Sequence, residues 1–142
     1  MGYTHYWTFN KKVKDITNGE SAFKTAVELF KRGLEIASDK HNLYYPDLLG
    51  NGVGLGEPII EDDKLIFNGK RPDDYETFAI TTESEGFDFC KTARYPYDVF
   101  VCLALLCFEY VFGDKIGVSS DGDRKNEDGW VVAVQIFNEL LE

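Results

Sequence analysis

The sequence predicts a single α+β domain spanning residues 1–142, in which a mainly antiparallel curved sheet carries three helices packed largely on one face. Three observations predict it. Segments 20–38 and 130–141 place apolar residues every three or four positions, and segment 96–112 is apolar nearly all round. Between them lie short strand-like runs joined by tight polar turns, as in a meander. A chain of 142 residues, 44% hydrophobic and 15% aromatic, also has the size and composition for one core.

Each element follows from its residues. Tyr3, His5, Trp7 and Phe9 alternate with Thr4, Tyr6 and Thr8, so residues 2–9 should form a paired strand with two different faces. Thr17-Asn18-Gly19-Glu20 has capping-box spacing, and Phe23, Ala26, Val27, Phe30, Leu34 and Ala37 make the stripe of a helix over 20–38. Periodicity is lost over 39–58, where Gly50, Gly52, Gly54 and Gly56 alternate in a long loop. Ile59-Ile60 and Leu65-Ile66-Phe67 flank the acidic turn Glu61-Asp62-Asp63 as a hairpin. Segments 78–82 and 87–93 read as a second antiparallel pair around 83–86. Pro96 suits the first turn of a helix that runs to Phe112 and stops at Gly113. Residues 116–119 form a short strand, and a polar turn leads to Asp128, expected to cap a last helix striped by Trp130, Ala133, Val134, Phe137, Leu140 and Leu141.

Charge and cysteine content narrow the function. Lys and Arg number 15 and Asp and Glu 25, so the net charge is 15 − 25 = −10, which disfavours nucleic acid and anionic membrane as partners. An anionic ligand must then find a local basic pocket. The cysteines are odd in number, and Cys102 and Cys107 share one helical run where they cannot bridge, so reduced thiols in a cytoplasm are expected. No targeting segment is read at the start, and the apolar run 99–112, broken by Glu109, is too short to span a bilayer about 30 Å thick.

The tract Phe87-Asp88-Phe89-Cys90-Lys91-Thr92-Ala93-Arg94-Tyr95-Pro96-Tyr97-Asp98 carries the chemistry. Lys91, Thr92 and Arg94 are donors for an anion, and Tyr95 and Tyr97 offer flat faces and hydroxyls between a strand and a buried helix. Lys91 and Arg94 lie on opposite faces of a regular strand, so they share a ligand only if the chain turns at Ala93. Lys70 and Arg71 form a second basic spot at a hairpin end, able to join Lys91 if the chain folds that way. The glycine-alternating segment is followed by Pro58 and a strand pattern, so it reads as a flexible surface loop and not a phosphate cradle. Segment 121–129 fails as a calcium loop because Lys125 and Val132 stand where ligands are required. With two histidines and no cysteine pair at ligand spacing, no metal site is expected. His5, among strand aromatics, reads first as a structural residue and second as a general acid or base, and Cys90 as buried filler.

The opening Gly2-Tyr3-Thr4-His5-Tyr6-Trp7, with Phe89-Cys90-Lys91-Thr92 and Pro96-Tyr97-Asp98, resembles an uncharacterised group of small proteins encoded by bacteriophages and bacterial genomes. The resemblance implies a phage or prophage context and an anti-defence role, in which compact acidic proteins sequester cyclic nucleotide immune signals. The expected function is therefore a non-enzymatic sponge, homo-oligomeric and without cofactor, for a phosphate-bearing small molecule. Bases would stack on Tyr6, Trp7, Tyr95 or Tyr97, phosphates would meet Lys91, Arg94 and Arg71, and His5 and Thr92 complete the expected ligand-binding set. Two alternatives are an enzyme acting on such a ligand with His5 as acid or base, and an acidic protein-binding inhibitor or DNA mimic.

Overall fold

A computed structural model describes Gly2–Glu142. The architecture is α+β: three long helices and seven antiparallel strands. Strand β1 (Thr4–Phe9) is followed by a 3₁₀ turn at Val13–Asp15, helix α1 (Gly19–His41), a short helix α2 (Tyr45–Leu48) and a two-residue strand β2 (Leu49–Gly50). Strands β3 (Ile59–Glu61), β4 (Lys64–Gly69), β5 (Phe78–Thr81) and β6 (Gly86–Lys91) come next. Helix α3 (Asp98–Phe112), strand β7 (Ile116–Ser120) and helix α4 (Asp128–Leu140) complete the chain. No helix is long and apolar enough to cross a membrane among the described residues.

The strands divide into two sheets where a single curved one is expected. In the first, β1 lies between β6 and β7; in the second, β4 lies between β2 and β3 and also pairs with β5. The expected pairing of β5 with β6 does not form. β5 instead pairs β4 in register Phe67↔Phe78, while β6 pairs β1 in register Tyr6↔Phe89. The link between β5 and β6 is held by the 3₁₀ turn, whose Val13 and Lys14 amides donate to the carbonyls of Ser84 and Thr82. Local sequence favours a hairpin there, but the tertiary partners take up those backbone groups first.

Both sheets pack their inner faces on the helices. Phe9 meets Phe112 of α3 edge-on at 5.5 Å, Phe30 of α1 stacks on Phe67 of β4 at 5.7 Å, and Trp7 joins the sheets by lying 5.1 Å from Phe78. Helix α3 packs against both α1 and α4. Its run from Asp98 to Phe108 is wholly buried, as its all-round apolar sequence requires.

Three end signals resolve differently from the sequence reading. Asn18, preceding α1, sits at φ 60° and caps nothing with its side chain, so the capping box is not made; Gly19 follows directly from the 3₁₀ turn through its amide to the Ile16 carbonyl. Pro96 lies two residues before α3 begins, because Tyr97 and Asp98 complete a turn whose Asp98 amide donates to the Tyr95 carbonyl. Glu127, not Asp128, precedes α4, and Asp123 organises the preceding turn by accepting from the Lys125 amide and the Asn126 side chain.

Candidate functional site

Side chains on β1 alternate between two surfaces, and each surface assembles its own group of polar and aromatic residues. On the inner face, His5 is 0% exposed. Its Nε2 lies 2.6 Å from Asp98 Oδ1 at the start of α3, and its Nδ1 lies 2.7 Å from Ser120 Oγ at the end of β7. Ser120 Oγ also receives the Trp130 indole N–H and the Gly122 amide, each at 3.0 Å. A hydroxyl has two lone pairs and one hydrogen, so with both lone pairs engaged the hydrogen goes to His5 Nδ1. The count assigns the tautomer: Nδ1 accepts, and Nε2–H donates to the Asp98 carboxylate. Thr92 donates its hydroxyl to the same carboxylate oxygen. Cys102, one turn along α3, places Sγ 3.6 Å from His5 Nε2 and 3.8 Å from Asp98 Oδ2. The rings of Tyr3 and Trp130 close the group edge-on, at 5.1 and 5.3 Å from the imidazole.

Serine, histidine and aspartate in one line have the composition of a hydrolytic triad. Their commitments differ from one. Both ring nitrogens of His5 are occupied, Ser120 Oγ is saturated, and the imidazole touches no solvent. The line therefore ties β1, β7, α3 and α4 together. Burial and the neighbouring Asp98 carboxylate raise the Tyr3 phenol well above its usual range, and burial raises the Cys102 thiol well above its own.

Beside this group, a cleft of about 280 Å³ is lined by Arg94, Tyr95, Asp98, Glu127, Asp128 and Gly129, among others. The chain does turn where the sequence analysis requires it. Ala93 and Arg94 adopt left-handed φ values of 52° and 61°, and the Tyr95 amide closes the turn on the Thr92 carbonyl at 3.0 Å. Yet the turn separates the two cations. Arg94 grips Glu127 through two hydrogen bonds, 2.9 and 3.2 Å, and lies over the Tyr3 ring at 4.1 Å. That guanidinium holds the Glu127 carboxyl below its usual range. With Arg94 offset by Glu127 and two more acids in the wall, the cleft is acidic and repels phosphate.

The outer face of the same sheet is different. The registers Thr4↔Lys91, Tyr6↔Phe89 and Thr8↔Phe87 bring Tyr6, Phe87, Phe89 and Lys91 onto one surface. Phe87 is 63% and Phe89 43% exposed. Tyr6 stacks on Phe87 at 6.0 Å with 24° between the ring planes, and Phe87 lies 6.1 Å from Phe89. The Tyr6 hydroxyl donates to Asp121 at 3.0 Å, which raises its pKa. Lys91 is exposed, and its ammonium enters no ion pair among the described residues. At its end of the strand, the Glu76 amide donates to the Lys91 carbonyl, and the exposed Tyr75 and Tyr95 rings meet edge-on at 5.9 Å.

The expected ligand-binding set is thus distributed over several surroundings. Tyr6 and Lys91 share the outer face, while Arg94 and Tyr95 line the acidic cleft. Trp7 and Tyr97 have their ring faces in the core and cannot receive a stacking base; the Tyr97 hydroxyl donates to the Glu76 carbonyl at 2.6 Å, on the segment leading into β5. Thr92 and His5 are buried and committed to Asp98. Arg71 is spent on the glycine-rich loop, with Nε donating to the Val53 carbonyl at 2.8 Å and facing Asp74 at 3.5 Å, and Lys70 donates to the Pro46 carbonyl at 2.7 Å. The basic spot therefore does not fold toward Lys91. Its work is to pin the loop, together with Thr77 donating to the Gly52 carbonyl and Asn51 accepting the amides of Val53 and Leu55. Gly54, at φ 77°, lets the loop approach: a Cβ there would stand 2.8 Å from the Gly69 carbonyl oxygen.

Sequence reasoning missed Asp98, Ser120 and Trp130 as partners of His5, and Phe87 and Phe89 as an open surface. A signal existed for Asp98, an acid opening a helix whose residues 99–108 are all apolar, which must find donors when buried. The stacked outer face and the closed inner polar line define a scaffold with one open aromatic surface and one sealed network. No described protein family, no curated protein and no solved structure matches this chain.

Proposed function

We propose that the protein captures a small ligand bearing both a base and a phosphate, stacking the base on the outer aromatic face and setting the phosphate against Lys91, and that it does not convert the ligand. One observation carries the reading: half-buried Tyr6 and exposed Phe87 and Phe89 form a contiguous aromatic surface that ends at a lysine without an ion pair among the described residues. Single large aromatics on a surface need no explanation, but a contiguous exposed patch marks an interaction site. Aromatic faces bind bases at about 1–3 kcal/mol each, whatever the base. Capture is favoured over conversion because the only histidine near the sheet is sealed and has no nitrogen free for a substrate. Cyclic nucleotide immune signals, the ligands suggested by the resemblance to phage-encoded proteins, carry the required base and phosphate.

Calorimetry against cyclic dinucleotides and cyclic ADP-ribose isomers tests the proposal. Binding is expected for at least one, weakened by about 1–3 kcal/mol in Phe89→Ala and by about 1.5–3 kcal/mol in Lys91→Ala. Ligand released by heat should return chemically intact. Binding nowhere in the panel would remove the reading, and turnover abolished by His5→Ala would replace it with the enzyme alternative.

A further inference from the structure

We propose that His5, Asp98 and Cys102 form a site for a divalent transition metal of the zinc type, beneath the cleft that Asp98 lines. Imidazole nitrogen, carboxylate oxygen and thiol sulfur lie within 4.8 Å of one another, and all three residues are buried. Asp98 and Cys102 stand four residues apart on α3 and so project on one side of the helix, facing His5 from β1. No spacing search in the sequence could find them, since the nearest partner of His5 is 93 positions away.

The distances fit an ion. With bonds of about 2.0–2.2 Å to nitrogen and oxygen and 2.3 Å to sulfur, a tetrahedral zinc holds its ligand atoms roughly 3.4–3.6 Å apart. Cys102 Sγ lies 3.6 Å from His5 Nε2 and 3.8 Å from Asp98 Oδ2. His5 Nε2 lies 2.6 Å from the carboxylate's other oxygen, Asp98 Oδ1, because a hydrogen-bonding proton stands there. Exchanging that proton for an ion requires this distance to open by about 1 Å or less.

The chemistry balances as well. Two positive charges on the ion meet one carboxylate and one thiolate, so the filled cluster is neutral where the empty one carries the single negative charge of the carboxylate. The imidazole proton moves from Nε2 to Nδ1 and the thiol proton leaves to solvent, one proton released per ion. Nδ1–H then donates to Ser120 Oγ, one of the two N–H contacts at 3.0 Å to that oxygen loosens, and the serine hydrogen is freed. A partner waits for it: the Tyr3 hydroxyl, placed against Gly122, is the buried side-chain polar atom without a hydrogen bond among the described residues. Imidazole, carboxylate and thiolate together suit zinc, and three protein ligands leave a fourth position for a water. Asp98, the ligand that lines the cleft, is where ion and water would enter.

Titration of the reduced full-length chain with cobalt(II) tests the site through its spectrum. Expected are one ion per chain, a thiolate-to-cobalt charge-transfer band in the near ultraviolet, tetrahedral d–d bands, and displacement by zinc. Cys102→Ser should abolish the charge-transfer band, while Cys90→Ser and Cys107→Ser keep it. Ser120→Ala should keep the band and weaken affinity by about 10–100-fold, the usual cost of losing a partner that orients a ligand. If Cys102→Ser fails to fold, the Cys90→Ser/Cys107→Ser double variant, in which Cys102 is the sole thiol, replaces it, and the band is expected to remain there. Absence of the band in the wild type, its survival in Cys102→Ser, or its loss in the double variant would overturn the proposal.

Discussion

The two faces of β1 contain similar residue types and use them in opposite ways. On the inner face, His5, Asp98, Ser120, Thr92 and Trp130 spend their hydrogen-bonding capacity on one another. On the outer face, Phe87 and Phe89 have no covering element, and Lys91 has no counter-ion among the described residues. Residues that satisfy each other in the interior give rigidity, because burying them unpaired is costly. Residues left open to water retain the freedom to bind something else. His5 has the chemistry of a site but no free valence, and the side chains left available lie on the other side of the strand.

The contrast breaks most sharply at Asp98. Asp98→Ala leaves the His5 and Thr92 donors without an acceptor in the core, and should cost about 1–3 kcal/mol in urea unfolding for each donor left unpaired. A loss below about 1 kcal/mol would show that the inner network is dispensable.

Thiol reactivity sharpens the same point. Burial pushes the Cys90 and Cys107 thiols up to about 12 and raises Cys102 well above its ordinary value. At mildly alkaline pH the folded protein should show almost no reaction with a thiol reagent, and all three cysteines should react once it is denatured. Rapid labelling of the native state would mean that the interior opens readily.

The Arg94–Glu127 clamp at the cleft should matter less and depend on pH. The Glu127 carboxyl is lowered in the folded state by the hydrogen bond from Arg94, so its stabilisation is present above the ordinary glutamate range and fades as pH falls through the folded value. Thermal melting of wild type and Arg94→Ala should converge at acid pH and separate slightly at neutral pH, and a gap unchanged across that range would refute the linkage. Smallest of all, Phe87→Ser and Phe89→Ser should change stability by no more than about 0.5 kcal/mol while removing the stacking surface. A large loss of stability in either would mean that these rings support the fold and are not a free platform.

Much of the secondary structure was legible because it rests on local periodicity. The stripe from Phe23 to Ala37, the all-round apolar run of α3 and the alternation of β1 each require a particular element whatever surrounds them. The α+β class follows from their order. The capping box before α1 and the β5–β6 hairpin were also legible, and neither formed: the adjoining 3₁₀ turn takes the Gly19 amide, and other strands pair with β5 and β6 instead.

The candidate site was legible only as a list of residue types. Sequence marked Lys91, Arg94, Tyr95 and Tyr6, but it could not show that Arg94 would be taken by Glu127, 33 positions on, or that Phe87 and Phe89 would join Tyr6. By itself, the sequence determined the long helices and most strands and that the chain is acidic, since spacing and charge are properties of the chain alone. Helix α2 and strand β2, inside the segment expected to be a long loop, are too short to show a period. The tertiary structure alone decided which polar residues are spent and which remain free. That distinction depends on contacts between residues about a hundred positions apart, such as His5 with Asp98 and Ser120, and only folding brings those groups within hydrogen-bond reach.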